Sequence, residues 1–315
     1  MTDSVFLQRG DPVQKVKLVE VGLRDGLQNE SRSLPTEVKV TIANLLIDAG
    51  VKELEVTSFV HPKWVPQLAD AAELANSLPR RPDVCCRALV PNRKGLERAL
   101  DTNIDEFAVF LSASETHNRK NINKGIRETY PVLEEVVREA TAKGKRVRGY
   151  VSTVFGCPYE GEVPLSNTAE IVNRLLEMGV YEISLGDTIG VATPRQVKEK
   201  LKALTREVPA DRLAGHFHDT RGTALVNAYV CLEQGITTLD SAFGGLGGCP
   251  YAPGAAGNVA TEDLVYMLEG MGVETGIDLE ALCEAGWLAE KQLGKKLPSK
   301  VLQSVAAKRR KEGSR

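Results

Sequence analysis

From Lys15 to Gly270 the chain alternates short β-branched, apolar runs with longer amphipathic stretches of helical period, the pattern of repeated βα units. Eight runs read as strands: Val16–Val21, Glu53–Thr57, Val84–Val90, Phe107–Leu111, Val147–Thr153, Glu182–Leu185, Leu213–Phe217 and Thr238–Ala242. Between them lie helical segments such as Thr36–Ala49, Pro131–Lys143, Asn167–Met178 and Pro194–Glu207. The first three are closed by Gly50, Gly144 and Gly179, because glycine is the natural left-handed stop of a helix. Eight units of roughly thirty residues favour a closed (β/α)8 TIM barrel over an open doubly wound sheet, for which six or fewer strands are usual. The expected organisation is one catalytic domain over residues 1–315, an α/β barrel at about 15–270 followed by extra C-terminal helices at about 271–315. Those helices read as Leu279–Leu293 and Ser299–Arg310.

Composition narrows the partners. Of 315 residues, 42% are hydrophobic and 26% charged, and 40 basic against 42 acidic side chains give a net charge of -2. Nothing in that balance steers the chain toward nucleic acid or an anionic membrane. No apolar run reaches membrane-spanning length, so a small-molecule partner is the default. The first residues, MTDSVFLQRGDPVQK, lack a signal-peptide core, and the ending Gly313-Ser314-Arg315 is not a peroxisomal tripeptide; the expectation is a bacterial, cytoplasmic protein. Six cysteines without paired metal spacing, mostly in apolar segments, suit buried thiols in a reducing compartment.

Barrel chemistry sits at the C-terminal ends of the strands. There the sequence places Arg24 and Asp25 after strand 1, Glu55 and Ser58 at strand 2, Asn92 after strand 3, Ser112 at strand 4, Asp187 and Thr188 after strand 6, and His216 and His218 at strand 7. Residues two apart on a strand share a face about 6 to 7 Å apart, so the two imidazoles suit one metal ion, although His-x-His by itself is more often a pair of hydrogen-bonded core or surface histidines. Strands 7, 8 and 1 are neighbours in a closed barrel, which lets Asp25 and Asn258 join the histidines. Such a nitrogen and oxygen set fits Mg2+ or Mn2+, with Zn2+ also compatible. After strand 8, FGGLGGCPYAPGAAGN (243–258) packs six glycines around Cys249, a composition that serves backbone close to a ligand better than a packed core. Cys249 reads either as a small residue in a tight turn or as a proton carrier over substrate. Arg24-Asp25 is either an ordinary ion pair or a charge-stabilising arginine beside a ligating carboxylate, with Glu55 placed to orient it.

The segments EVGLRDGLQNE (20–30), LEVTSFVHPKWVPQ (54–67), RGYVSTVFGCPYEG (148–161), YEISLGDTIGVATP (181–194), HFHDTRGTALVN (216–227) and GLGGCPYAPGAAGNVATEDLVYML (245–268) resemble the 3-hydroxy-3-methylglutaryl-CoA lyases, metal-dependent enzymes on a TIM barrel. The likeness runs along nearly the whole chain, and the last segment is specific to the lyase branch. The resemblance implies that Asp25, His216, His218 and Asn258 bind the divalent cation. It implies that Arg24 contacts substrate and stabilises an enolate, that Glu55 holds Arg24, and that Cys249 is a loop thiol acting in catalysis. Gln28, Ser58 and Thr188 are implied substrate contacts, and Asp187 and Glu262 implied supports of the metal or loop.

The implied reaction is retro-Claisen cleavage of 3-hydroxy-3-methylglutaryl-CoA to acetyl-CoA and acetoacetate, a step of leucine breakdown and ketone-body formation. A hydroxyl proton must leave, to His216 or Asp25, while Arg24 supports the enolate and Cys249 protonates it. The implied partner is an acyl-CoA thioester and the implied assembly a homo-oligomer, a dimer. Alternatives are a lyase for a related 3-hydroxy-3-alkylglutaryl-CoA or citramalyl-CoA thioester, and a Claisen-condensing acyltransferase joining acetyl-CoA to a 2-oxo acid, in which Cys249 has no obvious use.

Overall fold

A computed structural model describes residues 15–248 and 257–312. Eight parallel strands close on themselves in sequence order: β1 (Lys17–Glu20), β2 (Glu53–Ser58), β3 (Cys85–Leu89), β4 (Glu106–Ser112), β5 (Arg146–Ser152), β6 (Ile183–Asp187), β7 (Leu213–Phe217) and β8 (Thr238–Ser241). Closure is made by β1 against β8, with Lys17 opposite Thr238 and Glu20 opposite Ser241. The expected (β/α)8 barrel is therefore present, which leaves no sheet edge unpaired.

Around it run α1 (Thr36–Asp48), α2 (Ala71–Ser77), α3 (Arg93–Leu100), α4 (Glu115–Ile122), α5 (Ile126–Ala142), α6 (Leu165–Glu177), α7 (Pro194–Leu204), α8 (Ala224–Glu233) and α9 (Thr261–Gly270), followed by α10 (Leu279–Leu293) and α11 (Lys300–Glu312). The main apolar core lies between strands and helices, where Leu46, Val56, Phe107, Val136, Leu175 and Leu264 are buried. Helix α5 begins five residues before the expected start at Pro131. Glu128 accepts the Gly125 amide at 2.6 Å and Thr129 Oγ1 donates to the Gly125 carbonyl at 2.8 Å, so the first turn is well anchored. A proline at its sixth position removes a single backbone donor, which that anchoring offsets.

The barrel interior departs from the usual filling of branched apolar side chains. Arg148, fully buried, donates to Glu182 at 2.7 Å and to both carboxylate oxygens of Asp240 at 2.8 and 3.2 Å. Lys17 reaches Glu182 at 2.5 Å from below, and Ser184 donates to Asp240 at 2.7 Å. Burying charge is tolerable only when each group is paired in this way. The ionic column carries a fixed charge pattern from the floor of the barrel to its mouth.

Among the described residues no helix is long and apolar enough to cross a membrane. Cys85, Cys86, Cys157, Cys231 and Cys283 are unbridged.

Candidate active site at the barrel mouth

Beyond β1 the chain makes a π-helical turn, Gly22–Gly26. The amides of Arg24, Asp25 and Gly26 converge on the Val21 carbonyl at 3.1, 2.8 and 3.2 Å. This tight winding requires Gly22: a Cβ there would meet the Phe243 ring at 2.5 Å and Glu20 Oε1 at 2.7 Å. The turn swings Arg24 and Asp25 across the barrel mouth, so the expected strand end at Val21 gives way to a functional turn.

Arg24, 6% exposed, donates through Nε to Glu55 and through Nη1 to Asp25 Oδ1 at 2.5 Å. Burial would lower the guanidinium pKa, but Glu55 and Asp25 outweigh it and hold the charge more firmly than usual. Glu55 also accepts the hydroxyl of Tyr150 on β5, whose ring lies 5.3 Å from the Arg24 guanidinium. The carboxylate of Glu55 is thus hydrogen-bonded to Arg24 and to Tyr150 together.

One ligand atom each from Asp25, His216 and His218 lies within 4.8 Å of the others. His216 Nε2 and His218 Nε2 stand 3.9 and 3.7 Å from Asp25 Oδ2. Burial pushes the Asp25 carboxyl upward, yet Arg24 and the two histidines together hold it well below the usual carboxylate range, so it is an anion. His216 Nδ1 is 3.1 Å from Asp240 Oδ2. A carboxylate there favours the tautomer with hydrogen on Nδ1, leaving the Nε2 lone pair toward Asp25. Two imidazole nitrogens and an ionised carboxylate converging in this way are a donor set that fits a divalent cation. Asn258 joins the group through Nδ2, which donates to Asp25 Oδ2 at 2.8 Å and to the Leu246 carbonyl at 3.1 Å; a half-turn of the amide exchanges Nδ2 for Oδ1.

The other expected residues divide. Gln28 and Thr188 line the cavity above the barrel, together with Arg24, Asp25 and both histidines. Thr188 also accepts the Thr153 amide at 2.7 Å, which secures Thr153 at a φ of 59°, a costly angle for a β-branched residue. Ser58 is buried away from the cavity lining and its hydroxyl receives the Val60 amide at 3.3 Å. Asp187 accepts the Val191 and Ala192 amides at 3.0 Å each, shaping the loop after β6. Glu262 takes the Gly244 amide at 2.7 and 2.9 Å, so it pins the start of the glycine segment and touches none of the candidate ligands. Cys249 lies outside the described residues.

Sequence reasoning missed Tyr150, Arg148 and Asp240. The signal was present in polar residues on otherwise apolar strands, Arg148 and Tyr150 two apart in RVRGYVS and Asp240 in TTLDSA, the same pattern that singled out Glu55.

The HMGL-like family model matches residues 15–288. The chain belongs to the HMGL-like family. Hydroxymethylglutaryl-CoA lyase YngG of Bacillus subtilis is 52% identical over 290 residues, 92% of this chain and 97% of the relative. The mitochondrial hydroxymethylglutaryl-CoA lyase of Bos taurus is 50% identical over 292 residues, 93% of this chain and 90% of the relative. The crystal structure of the B. subtilis HMG-CoA lyase superposes with a TM-score of 0.92 over 94% of this chain and 99% of that one. An A. baumannii HMG-CoA lyase in complex with coenzyme A and 3-methylmalate, 39% identical, gives a TM-score of 0.88 over 92% of this chain and 94% of that one. The family match thus spans the barrel and the first part of α10, and includes every described residue at the mouth discussed above.

Proposed function

We propose that this HMGL-like chain is a carbon–carbon lyase that cleaves 3-hydroxy-3-methylglutaryl-CoA to acetyl-CoA and acetoacetate. The observation that carries the reading is the convergence of Arg24, Asp25, His216 and His218 on one cavity, in a chain about half identical to hydroxymethylglutaryl-CoA lyases over more than nine-tenths of its length.

Cleavage of the C2–C3 bond demands removal of the tertiary hydroxyl proton and a place for negative charge on the thioester oxygen. Asp25, His216 and His218, with Asn258, would hold a divalent ion, which would supply Lewis-acid polarisation of the substrate oxygens; Mg2+ or Mn2+ is the proposed ion and Zn2+ the alternative. The hydroxyl proton is assigned to either His216 or Asp25. Arg24, locked by Glu55 and backed by Tyr150, offers a preorganised positive charge to the developing enolate and loses no energy to reorientation during the step. Gln28 and Thr188, which line the cavity, are assigned contact with the acyl group. Cys249 is assigned protonation of the enolate carbon on the resemblance of its segment. The protein is further proposed to act in the cytoplasm as a homodimer.

A divalent-metal-dependent cleavage assay over a panel of thioesters tests the reading. 3-Hydroxy-3-methylglutaryl-CoA is expected to be turned over best, ahead of longer 3-hydroxy-3-alkylglutaryl and citramalyl thioesters. Preferential turnover of another member would move the substrate, and condensation of acetyl-CoA with 2-oxo acids in place of cleavage would overturn the reaction class.

A further inference from the structure

The two C-terminal helices lie outside the eight βα units, yet the connection between them reaches the barrel mouth. Residues 294–299 join α10 to α11. Within this connection the Glu290 carboxylate of α10 accepts the Leu297 amide at 2.9 Å, Lys296 Nζ at 2.7 Å and Gln303 Nε2 at 2.6 Å. Gln303, on α11, also donates to the Leu297 carbonyl at 3.2 Å. Leu297 is therefore held through its amide by one helix and through its carbonyl by the other, which leaves its side chain, 2% exposed, little freedom.

That side chain covers the short 3-10 turn Phe243–Gly245 after β8. Gly244 has a φ of 65°, and a Cβ on it would collide with the Leu297 side chain. The Ser299 amide donates to the Gly244 carbonyl at 3.1 Å, while Glu262 of α9 takes the Gly244 amide. Both polar groups of Gly244 are thus fixed, and Leu297 fills the space over its α-carbon. Two residues further on, Leu246 carries this placement to the candidate ligands. Its carbonyl accepts Asn258 Nδ2 at 3.1 Å, and the same amide donates to Asp25 Oδ2. Its side chain packs on the π-helical turn that holds Asp25, where a Cβ on Gly26 would lie 2.9 Å from Leu246 Cβ. Leu246 is 1% exposed, and in so dense a surrounding a shift at Gly244 is passed on, not absorbed.

We propose that the α10–α11 connection, with Leu297 at its centre, is a positioning element for the candidate metal ligands Asn258 and Asp25, acting through Gly244 and Leu246. The inference rests on the metal site of the lyase reading above. It gives the C-terminal helices a part in chemistry carried out on the barrel: Leu297 contributes no donor atom and sets where two of the donors stand.

Mn2+ binding to the full chain, followed by titration calorimetry and by the paramagnetic resonance of the free ion, reads the ligand positions without any substrate. Leu297→Ala should raise the Mn2+ Kd about tenfold and lower kcat for 3-hydroxy-3-methylglutaryl-CoA at saturating metal. Leu297→Met, of similar volume, should bring both back to within about twofold of the wild type. Leu175→Ala removes the same atoms from a fully buried site beside Gly149 on β5; it should lower the urea midpoint comparably while Kd and kcat hold. Should Leu297→Ala fail to fold, Leu297→Val is the smaller deletion, with an expected rise in Kd of about threefold. A Kd in the folded Leu297 variants equal to that of the wild type, or a rise matched by Leu175→Ala, would overturn the assignment. A wild type that binds Mn2+ but cleaves no thioester ends the lyase reading, and the Kd series still decides the positioning role; a wild type that binds no Mn2+ ends both.

Discussion

The mouth and the floor of this barrel use nearly the same residue types to opposite ends. At the floor, Glu53, Cys85 and Glu106 bring ligand atoms within 4.8 Å of one another, as Asp25, His216 and His218 also do at the mouth. Yet Arg87 sits among them, donating to Glu53 at 2.5 Å and Glu106 at 3.0 Å, and Arg146 pairs with Glu106 from the other side. Burial also pushes the Cys85 thiol up, far from a ligating thiolate. The floor already holds its cations as guanidinium groups. At the mouth, Arg24 is shared between Asp25 and Glu55, and two imidazoles face an open cavity. Proximity of donor atoms therefore identifies a metal site only together with the question of which cation already neutralises them.

The largest effect expected of this difference is in metal dependence. Exhaustive chelation should abolish cleavage, and Mg2+ or Mn2+ should restore it, with one ion bound per chain by titration calorimetry. His218→Ala should weaken that binding by roughly ten- to a hundredfold or more, since a direct donor is lost, whereas Glu106→Gln at the floor should leave the stoichiometry at one. Two ions per chain, or full turnover without metal, would break the contrast.

Arg24→Gln should lower kcat by roughly a thousandfold with a much smaller change in KM, because the lost interaction strengthens as charge develops. Lysine should rescue poorly, as it cannot serve Glu55 and Asp25 through one planar fork. Near-normal kcat would reduce Arg24 to a structural ion pair, like Arg87. The reciprocal experiment is Arg87→Met: stripping a fully buried cation from Glu53 and Glu106 should cost about 3–5 kcal/mol of stability in urea unfolding while kcat of the folded fraction holds. A kcat that falls with Arg87 would show that the floor takes part in chemistry.

A subtler contrast lies in the carboxyls. Burial would raise Glu106 at the floor, but Arg87 and its other partners draw it below its usual value. Under the mouth no arginine answers: burial raises Glu20 to about 7 and Glu262 to about 8. Their folded values exceed the ordinary 4.5, so the unfolded chain gives up these protons first as pH rises. Stability from these two groups is complete below pH 4.5 and is lost progressively until both are ionised near pH 8. Thermal unfolding across pH 5–9 should show that decline, and Glu262→Gln should flatten it, most clearly in the upper part of the range. An unchanged slope in Glu262→Gln would remove this carboxyl from the account.

Much of this was legible in the chain. The eight strands emerge from β-branched runs with glycine stops, and Asp25, His216 and His218 follow from strand ends that a closed barrel must bring together. Arg24 and Glu55 came from polar residues in apolar company. What escaped depended on three-dimensional partners. Ser58 sits at the expected strand end but turns to its own loop, because the Val60 amide needs an acceptor and the hydroxyl is nearest. Asp240 acquires its role only when β7 and β8 lie side by side and set it against His216. The polar character of the barrel interior was hidden because Arg148, Glu182 and Asp240 are far apart in sequence, and each alone looks like a surface residue.

The single carboxylate of Glu20 receives the amides of Gly22 at 2.7 Å and Phe243 at 3.1 Å and the hydroxyl of Thr261 at 2.6 Å. It ties the first strand to segments more than two hundred residues later. A ribosome making this chain releases β1 early and β8 near the end, and the seam between them cannot form until Ser241 has emerged. The longest loop in the molecule must close before the mouth takes shape, which makes it a late and slow event in folding. An unfinished chain therefore carries the histidine pair without the closed seam that sets Asp25 against it, and the mouth is completed only when synthesis is nearly over.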